Sequence, residues 1–169
     1  MDVGGYMKRM MQGLTLLDLL VVLAVLAVIV SMASPAHNWV ARQQLRSAHH
    51  DILLSVNYAR HLALSTGQPV TLCALHGLDT CRNPWQGSLS VFVDPDRAYA
   101  LNASAELRKV VKIPAAIQVQ WRGMNPSHSI RFAPNGLTFV SNGTFTISHT
   151  ALTESKKIII NRQGRARTE

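Results

Sequence analysis

Residues 14–30 read LTLLDLLVVLAVLAVIV, an apolar run that is interrupted by one charged residue, Asp18. The run extends to about Ala33, which is close to the ~20 residues that a helix needs to cross a bilayer. A charge at the centre of a membrane helix costs roughly 2.5–3.5 kcal/mol on insertion scales. Asp18 is therefore expected to have a partner that neutralises it.

The residues around this run predict its orientation. Lys8 and Arg9 precede it, and positive charge on that side favours a cytoplasmic N-terminus and an exported C-terminal domain. A secretory signal peptide would have a shorter apolar core followed by a small-residue cleavage site, for which SMASPAHNW at 31–39 is a weak candidate. One interpretation of the segment is thus a plain signal anchor.

A second interpretation begins at Gly13. In QGLTLLDLL, an apolar residue follows this glycine, an acid stands five positions after it, and Pro35 lies 22 positions after it. The pattern resembles the prepilin leader of type IV pilins and type II secretion pseudopilins. The resemblance implies that residues 1–13 are a leader, that prepilin peptidase cuts between Gly13 and Leu14, and that the new N-terminus is methylated. Leu14 and Asp18 stand where this family usually has Phe and Glu.

The same resemblance supplies the partner of Asp18. In a pilin-like filament the acid is implied to neutralise the new α-amino group, either its own or that of a neighbouring subunit. An unpaired amine and an unpaired carboxylate are each costly in lipid, whereas together they offset that cost. Residues 14–34 are then a transmembrane and assembly helix, with Asp18 as an assembly residue.

Residues 35–66 are expected to continue this helix as an amphipathic segment. One face carries apolar residues at steps of three and four, namely Leu45, Ala48, Ile52, Val56, Ala59 and Ala63. Gly67, followed by Pro69, predicts the end of the helix.

Residues 67–169 are expected to form a β-rich domain with a basic C-terminal tail. Short apolar runs separated by turn signals predict seven strands: VTLCAL, SLSVFVD, LRKVVKI, IQVQWRG, SIRFA, GTFTIS and KKIIIN. In the fourth, Ile117, Val119 and Trp121 share one face, and Gln118, Gln120 and Arg122 share the other. One long helix packed on antiparallel sheet is an α+β fold. The resemblance implies that this fold is of the type IV pilin kind.

Cys73 and Cys81 are the only cysteines. In an exported domain they are expected to form a disulfide that closes a small loop, whereas in a cytosolic domain they would stay free thiols.

Several short motifs indicate which group of pilin-like proteins the chain resembles. The second cysteine is followed by Trp85-x-Gly87 and by VFVD at 91–94, and IRFAPNG, GTFTI and KIIINRQGRAR come later. Together they resemble the GspH/FimT group of minor pilins and pseudopilins over nearly the whole chain.

The formal net charge of +8 indicates an anionic partner such as nucleic acid or a membrane surface, or serves solubility alone. Much of it lies in the closing segment KKIIINRQGRARTE. Several guanidinium groups around a glycine can converge on a strip of phosphates. In FimT-like minor pilins linked to natural transformation, a G-R-x-R motif is implied to bind DNA. Here it comprises Gly164, Arg165 and Arg167, and Arg162 is implied to assist.

Type II secretion pseudopilins of the same group need no such tail, and they are the alternative reading. A single-pass anchored domain unrelated to pili is a third, more distant one. The resemblance implies DNA and other pilin subunits as partners. It also implies a single-pass location in the bacterial inner membrane, with the C-terminal domain periplasmic before assembly and at the cell surface in a pilus afterwards.

Enzymatic function is not expected. Asp94 and Asp96 flank Pro95 and predict a turn rather than a carboxylate pair for acid–base work. The sequence has no G-x-S-x-G, no H-E-x-x-H and no phosphate-binding glycine loop. No cofactor and no metal site are expected.

Overall fold

The computed structural model describes residues 15–76, 80–124, 126–138 and 140–169, without the side chains of residues 31–37 and 76. The chain divides into two units, Met1–His37 and Asn38–Glu169. Helix α1, Leu16–Thr66, supplies the described part of the first unit and the beginning of the second. Its backbone is helical through position 35.

In the first unit, the side chains of residues 15–30 are all exposed, although most of them are apolar. Among the described residues, no helix is both long and apolar enough to cross a membrane. The predicted span, residues 14–34, reaches beyond the described side chains at both ends. The membrane segment therefore stays a prediction.

In the second unit, α1 packs its predicted apolar face into the core. All six residues of that face are buried: Leu45, Ala48, Ile52, Val56, Ala59 and Ala63. The helix ends at Gly67, whose N–H donates to the Ala63 carbonyl at 3.1 Å and whose φ is +65°. A positive φ is open to glycine without steric cost, so the predicted helix end is confirmed.

Two antiparallel sheets complete this unit. The five-stranded sheet has the order β2-β1-β3-β4, with β6 also paired to β1. Its strands are β1 Val70–His76, β2 Thr80–Cys81, β3 Ser88–Val93, β4 Glu106–Lys112 and β6 Ser129–Phe132. The four-stranded sheet has the order β5-β7-β8-β9. Its strands are β5 Ile117–Gly123, β7 Gly143–His149, β8 Ser155–Ile160 and β9 Ala166–Thr168.

An aromatic cluster lies at the centre of the core. The Trp121 ring lies 4.5 Å from Phe145 and 6.2 Å from Trp85, between ring centroids. The Trp85 Nε1–H donates to the Ser127 carbonyl at 3.0 Å, so its polar atom is satisfied. One long helix with two antiparallel sheets is an α+β fold, as predicted.

Each of the seven predicted strands overlaps an observed one, but two short strands were not predicted. One is β2, which pairs with β1 across the Cys73–Cys81 loop. The other is β9, which pairs with β8. The segment that we expected to be a tail is therefore a folded strand at the edge of the four-stranded sheet.

Candidate nucleic-acid interface

The basic C-terminal residues lie on the hairpin of β8 and β9, with Arg162 and Arg165 in its turn and Arg167 in β9. The Gly164 N–H donates to the Asn161 carbonyl at 2.9 Å, and the Asn161 N–H donates to the Arg165 carbonyl at 3.1 Å. The Asn161 side-chain oxygen accepts the Arg165 N–H at 3.0 Å. Asn161 thus holds the turn through both its backbone and its side chain, a common use of Asn in turns.

A second turn, at residues 133–138, is hydrogen-bonded to the hairpin. The Thr138 N–H donates to the Arg162 carbonyl at 3.1 Å, and the Thr138 hydroxyl donates to the Asn161 carbonyl at 3.0 Å. Helix α1 holds this second turn, because the Arg60 Nε–H donates to the Gly136 carbonyl at 3.3 Å. The position of the hairpin is therefore fixed by the body of the domain.

Gly164 is buried, unlike the arginines around it. Its φ is +71°, and a Cβ at this position would collide with the Gly136 carbonyl oxygen and lie 3.2 Å from Arg60 Cδ. Gly164 thus acts as a positioning residue of the predicted motif, with no side chain to offer a ligand.

Arg162, Arg165 and Arg167 are all exposed. Arg165 and Arg167, together with Ile159, line a shallow depression of about 360 Å³. Over the described ranges, ion pairs form at Arg42–Glu154 and Arg108–Glu106, and none involves Arg165 or Arg167. The structure therefore brings the predicted DNA-binding residues together on one hairpin, with two guanidinium groups available to an anion.

The remaining predicted site residues lie elsewhere. Cys73 and Cys81 are joined in a disulfide, as expected, and both are buried beside Phe92. Gly13 and Leu14 lie outside the described residues, so leader cleavage is not addressed by the structure.

Asp18 lies in the first turn of α1 and has a role that the sequence analysis missed. Its carboxylate accepts the Thr15 N–H at 3.2 Å and the Thr15 hydroxyl at 3.1 Å. In return, the Asp18 N–H donates to the Thr15 hydroxyl oxygen at 3.3 Å. This reciprocal pair is a capping box with Asp in place of the usual Glu. The spacing T-x-x-D was the signal in the sequence.

Asp94 and Asp96 act within their own loop. The Asp94 carboxylate is buried and accepts the Thr71 hydroxyl at 2.7 Å, the Ala98 N–H at 2.9 Å and the Tyr99 N–H at 3.2 Å. Hydrogen bonds from Asn102 and then Ser104 lower the pKa of Asp96. Within the described part of the chain, no cluster of three or more His, Cys, Asp or Glu residues could hold a metal ion.

Comparison with known proteins identifies the family. The model of the family described as GspH, type II transport protein, matches residues 48–164. The chain belongs to the GspH family. No curated protein sequence matches it.

Two crystal structures of the type IV minor pilin FimU from Pseudomonas aeruginosa (strain PAO1) share the fold. The first has a TM-score of 0.60 at 24% identity, over 76% of this chain and 90% of FimU. The second has a TM-score of 0.52 at 21% identity, over 74% and 92%. The chain is thus a member of the GspH family with the type IV pilin-like fold that the sequence analysis predicted. The family match ends at Gly164 and leaves Arg165 and Arg167 to be interpreted on their own.

Proposed function

We propose that this member of the GspH family is a minor type IV pilin that binds extracellular DNA through the β8–β9 hairpin during DNA uptake. The observation that carries the proposal is the hydrogen-bonded hairpin with exposed Arg165 and Arg167, to which Arg162 adds a third exposed arginine. Guanidinium groups bind phosphate oxygens by charge-assisted hydrogen bonds and carry no base preference in doing so. Binding is therefore expected to be largely independent of DNA sequence.

Assembly completes the proposal. Residues 1–13 would be removed by prepilin peptidase, residues 14–34 would lie in the inner membrane, and the β-rich domain would be periplasmic until other pilin subunits incorporate it. The mass of the mature protein tests the first step, since an N-terminus other than Leu14 contradicts it.

The alternative function is structural, as a pseudopilin of a type II secretion system. The description of the matched family as a type II transport protein favours it. On this alternative the hairpin arginines serve solubility, and DNA binding does not depend on them.

Titration with duplex DNA separates the two functions. The full chain in nonionic detergent is compared with the variant Arg165→Gln, Arg167→Gln. A control variant, Arg108→Gln, Lys112→Gln, removes the same charge from β4 of the other sheet. We expect the unmodified protein to bind with a Kd of about 10⁻⁴–10⁻⁶ M at physiological salt. The hairpin variant should show a weaker salt dependence. The slope of log affinity against log salt should be shallower by about 1.8, since each phosphate contact contributes about 0.9.

The control variant should show nearly the same dependence of affinity on salt as the unmodified protein. If both variants bind DNA as the unmodified protein does, the hairpin is not a DNA site and the secretion pseudopilin becomes the better assignment.

A further inference from the structure

The outer face of the four-stranded sheet carries basic residues that the G-R-x-R motif does not include. The strand register places Arg122 opposite Thr144, Thr144 opposite Ile159, and Ile159 opposite Arg167. These four residues form one row across β5, β7, β8 and β9. Arg122 and Arg167 therefore stand at the two ends of a single cross-strand row.

A parallel row lies beside it. Gln120 pairs with Thr146, and Thr146 pairs with Lys157. Lys157 and Glu169 exchange both backbone hydrogen bonds, at 3.2 and 3.1 Å, so they lie directly opposite each other. Among the described residues of the two rows, Glu169 is the one acid, and it forms no ion pair with Lys157 at 4.0 Å or less.

The core fixes which way these side chains point. On β5 the alternate residues Ile117, Val119 and Trp121 are buried, which leaves Gln118, Gln120 and Arg122 exposed. On β8 the burial of Ile158 and Ile160 turns Lys157 outward in the same way. Residues of both rows line a depression of about 270 Å³, which adjoins the hairpin depression at Ile159.

We propose that this outer face binds the phosphate backbone of duplex DNA, with Arg122 and Lys157 as phosphate-binding residues in addition to the hairpin arginines. The inference rests on the proposed function and names its substrate as a double helix. Neighbouring strands lie about 4.8 Å apart, so three strand spacings separate Arg122 from Arg167 by roughly 14 Å at Cα. This separation is comparable to the ~12 Å width of the major groove, so the two ends of the row can contact phosphates on both sides of it.

The uncharged residues between the cations fit the same ligand. Thr144, Thr146 and Gln120 offer hydroxyl and amide donors to phosphate oxygens, which are common contacts to the DNA backbone. No aromatic side chain stands on this outer face over the described strands, where Trp121 and Phe145 both point into the core. Single strands are usually held by stacking of bases on aromatic rings, so the face favours a duplex.

The experiment removes the two new cations and leaves the hairpin intact. The full chain in nonionic detergent and its variant Arg122→Gln, Lys157→Gln are titrated with a duplex at several salt concentrations. Five phosphate-binding cations predict a slope of log affinity against log salt of about −4.5. In the variant the slope should be shallower, at about −2.7. The same Arg108→Gln, Lys112→Gln variant is the control for net charge. Thermal unfolding of each variant confirms that it is folded.

A second variant tests the face in the opposite direction. Glu169→Gln removes the acid opposite Lys157, and we expect a severalfold lower Kd for the duplex. A single-stranded oligonucleotide of the same length should compete more weakly than the duplex.

The possible results distinguish a failure of this inference from a failure of the proposed function. If Arg165→Gln, Arg167→Gln weakens binding but Arg122→Gln, Lys157→Gln and Glu169→Gln do not change it, the outer face is not part of the site and the proposed function stands. Equal or tighter binding of the single strand overturns the duplex assignment. If the unmodified protein binds no DNA, the proposed function and this inference both fall.

Discussion

Gly164 has no side chain, and its neighbours leave room for none. Its φ of +71° is a region that L side chains rarely adopt, and a Cβ there would collide with the Gly136 carbonyl oxygen. The Arg60 Nε–H donates to the same carbonyl at 3.3 Å. The glycine of the G-R-x-R motif thus lets the hairpin sit directly on the backbone of a second turn, which directs Arg165 and Arg167 outward.

Replacing this glycine by alanine should therefore weaken DNA binding without removing any charge. We expect Gly164→Ala to destabilise the domain by about 1–2 kcal/mol from the left-handed backbone alone, and by more because of the collision with Gly136. Urea unfolding and duplex titration of the same samples measure both effects.

Gly67→Ala is the matched control for that substitution. Gly67 has a similar φ of +65°, but nothing lies within 4 Å of the place where its Cβ would be. The control should show the backbone cost and keep its DNA affinity. If Gly164→Ala lowers the free energy of unfolding no more than Gly67→Ala does, the close approach of the two turns does not make Gly164 necessary for stability.

Asp18 has an observed role at the start of helix α1 and a proposed role in filament assembly. Its hydrogen bonds with Thr15 cap the helix as the N3 half of a capping box. The role implied by the family is different, since it depends on the negative charge beside an α-amino group.

Asp18→Asn separates these roles, because Asn keeps an oxygen acceptor for Thr15 and loses the charge. We expect Asp18→Ala and Asp18→Asn both to reduce incorporation into filaments, while membrane insertion is kept or improved. Sheared filaments and membranes are assayed for the protein by immunoblot. Normal incorporation of Asp18→Asn together with a defect in Asp18→Ala would show that Asp18 acts as a helix cap only.

Strands with a run of apolar residues could be predicted from the sequence, and the two short strands without one could not. IQVQWRG alternates buried and exposed residues from Ile117 to Arg122 and became β5 at the predicted positions. Strand β9, Ala166–Thr168, has three residues and no apolar alternation, so its pairing with β8 is set by the turn at Asn161 and Gly164. The local sequence pattern therefore predicts the long strands, but it does not predict the short strand that carries Arg167.

The composition of the candidate site depends on the order of strands in the whole domain. Sequence analysis placed Arg122 on the polar face of its strand but gave it no neighbour. Arg122 shares a cross-strand row with Arg167 only because β5 pairs with β7, while β6 pairs with β1 in the other sheet. Such non-sequential pairing depends on contacts far apart in the chain. The arginines of the motif could thus be predicted, and the second group of cations required the structure.

The environment of His49 on α1 leads us to expect that the stability of the domain depends on pH. His49 on α1 has a buried Nε2 without a hydrogen-bond partner among the described residues. Burial lowers its pKa from the ordinary value of 6.5, and the positive charges of Lys156 and, more weakly, His50 act in the same direction. A hydrogen bond with the Lys157 backbone opposes these effects without reversing them.

A histidine whose pKa is lowered on folding binds fewer protons in the native state than in the unfolded state. The free energy of unfolding therefore falls as the pH drops below about 6.5, until the pKa of the folded state has been passed. We expect urea unfolding between about pH 8 and pH 5 to show this loss of stability, and His49→Gln to flatten it. His61→Gln, an exposed histidine on the same helix, is the control and should keep the wild-type profile. A profile in which His49→Gln loses as much stability as the unmodified protein would assign the acid sensitivity to other groups.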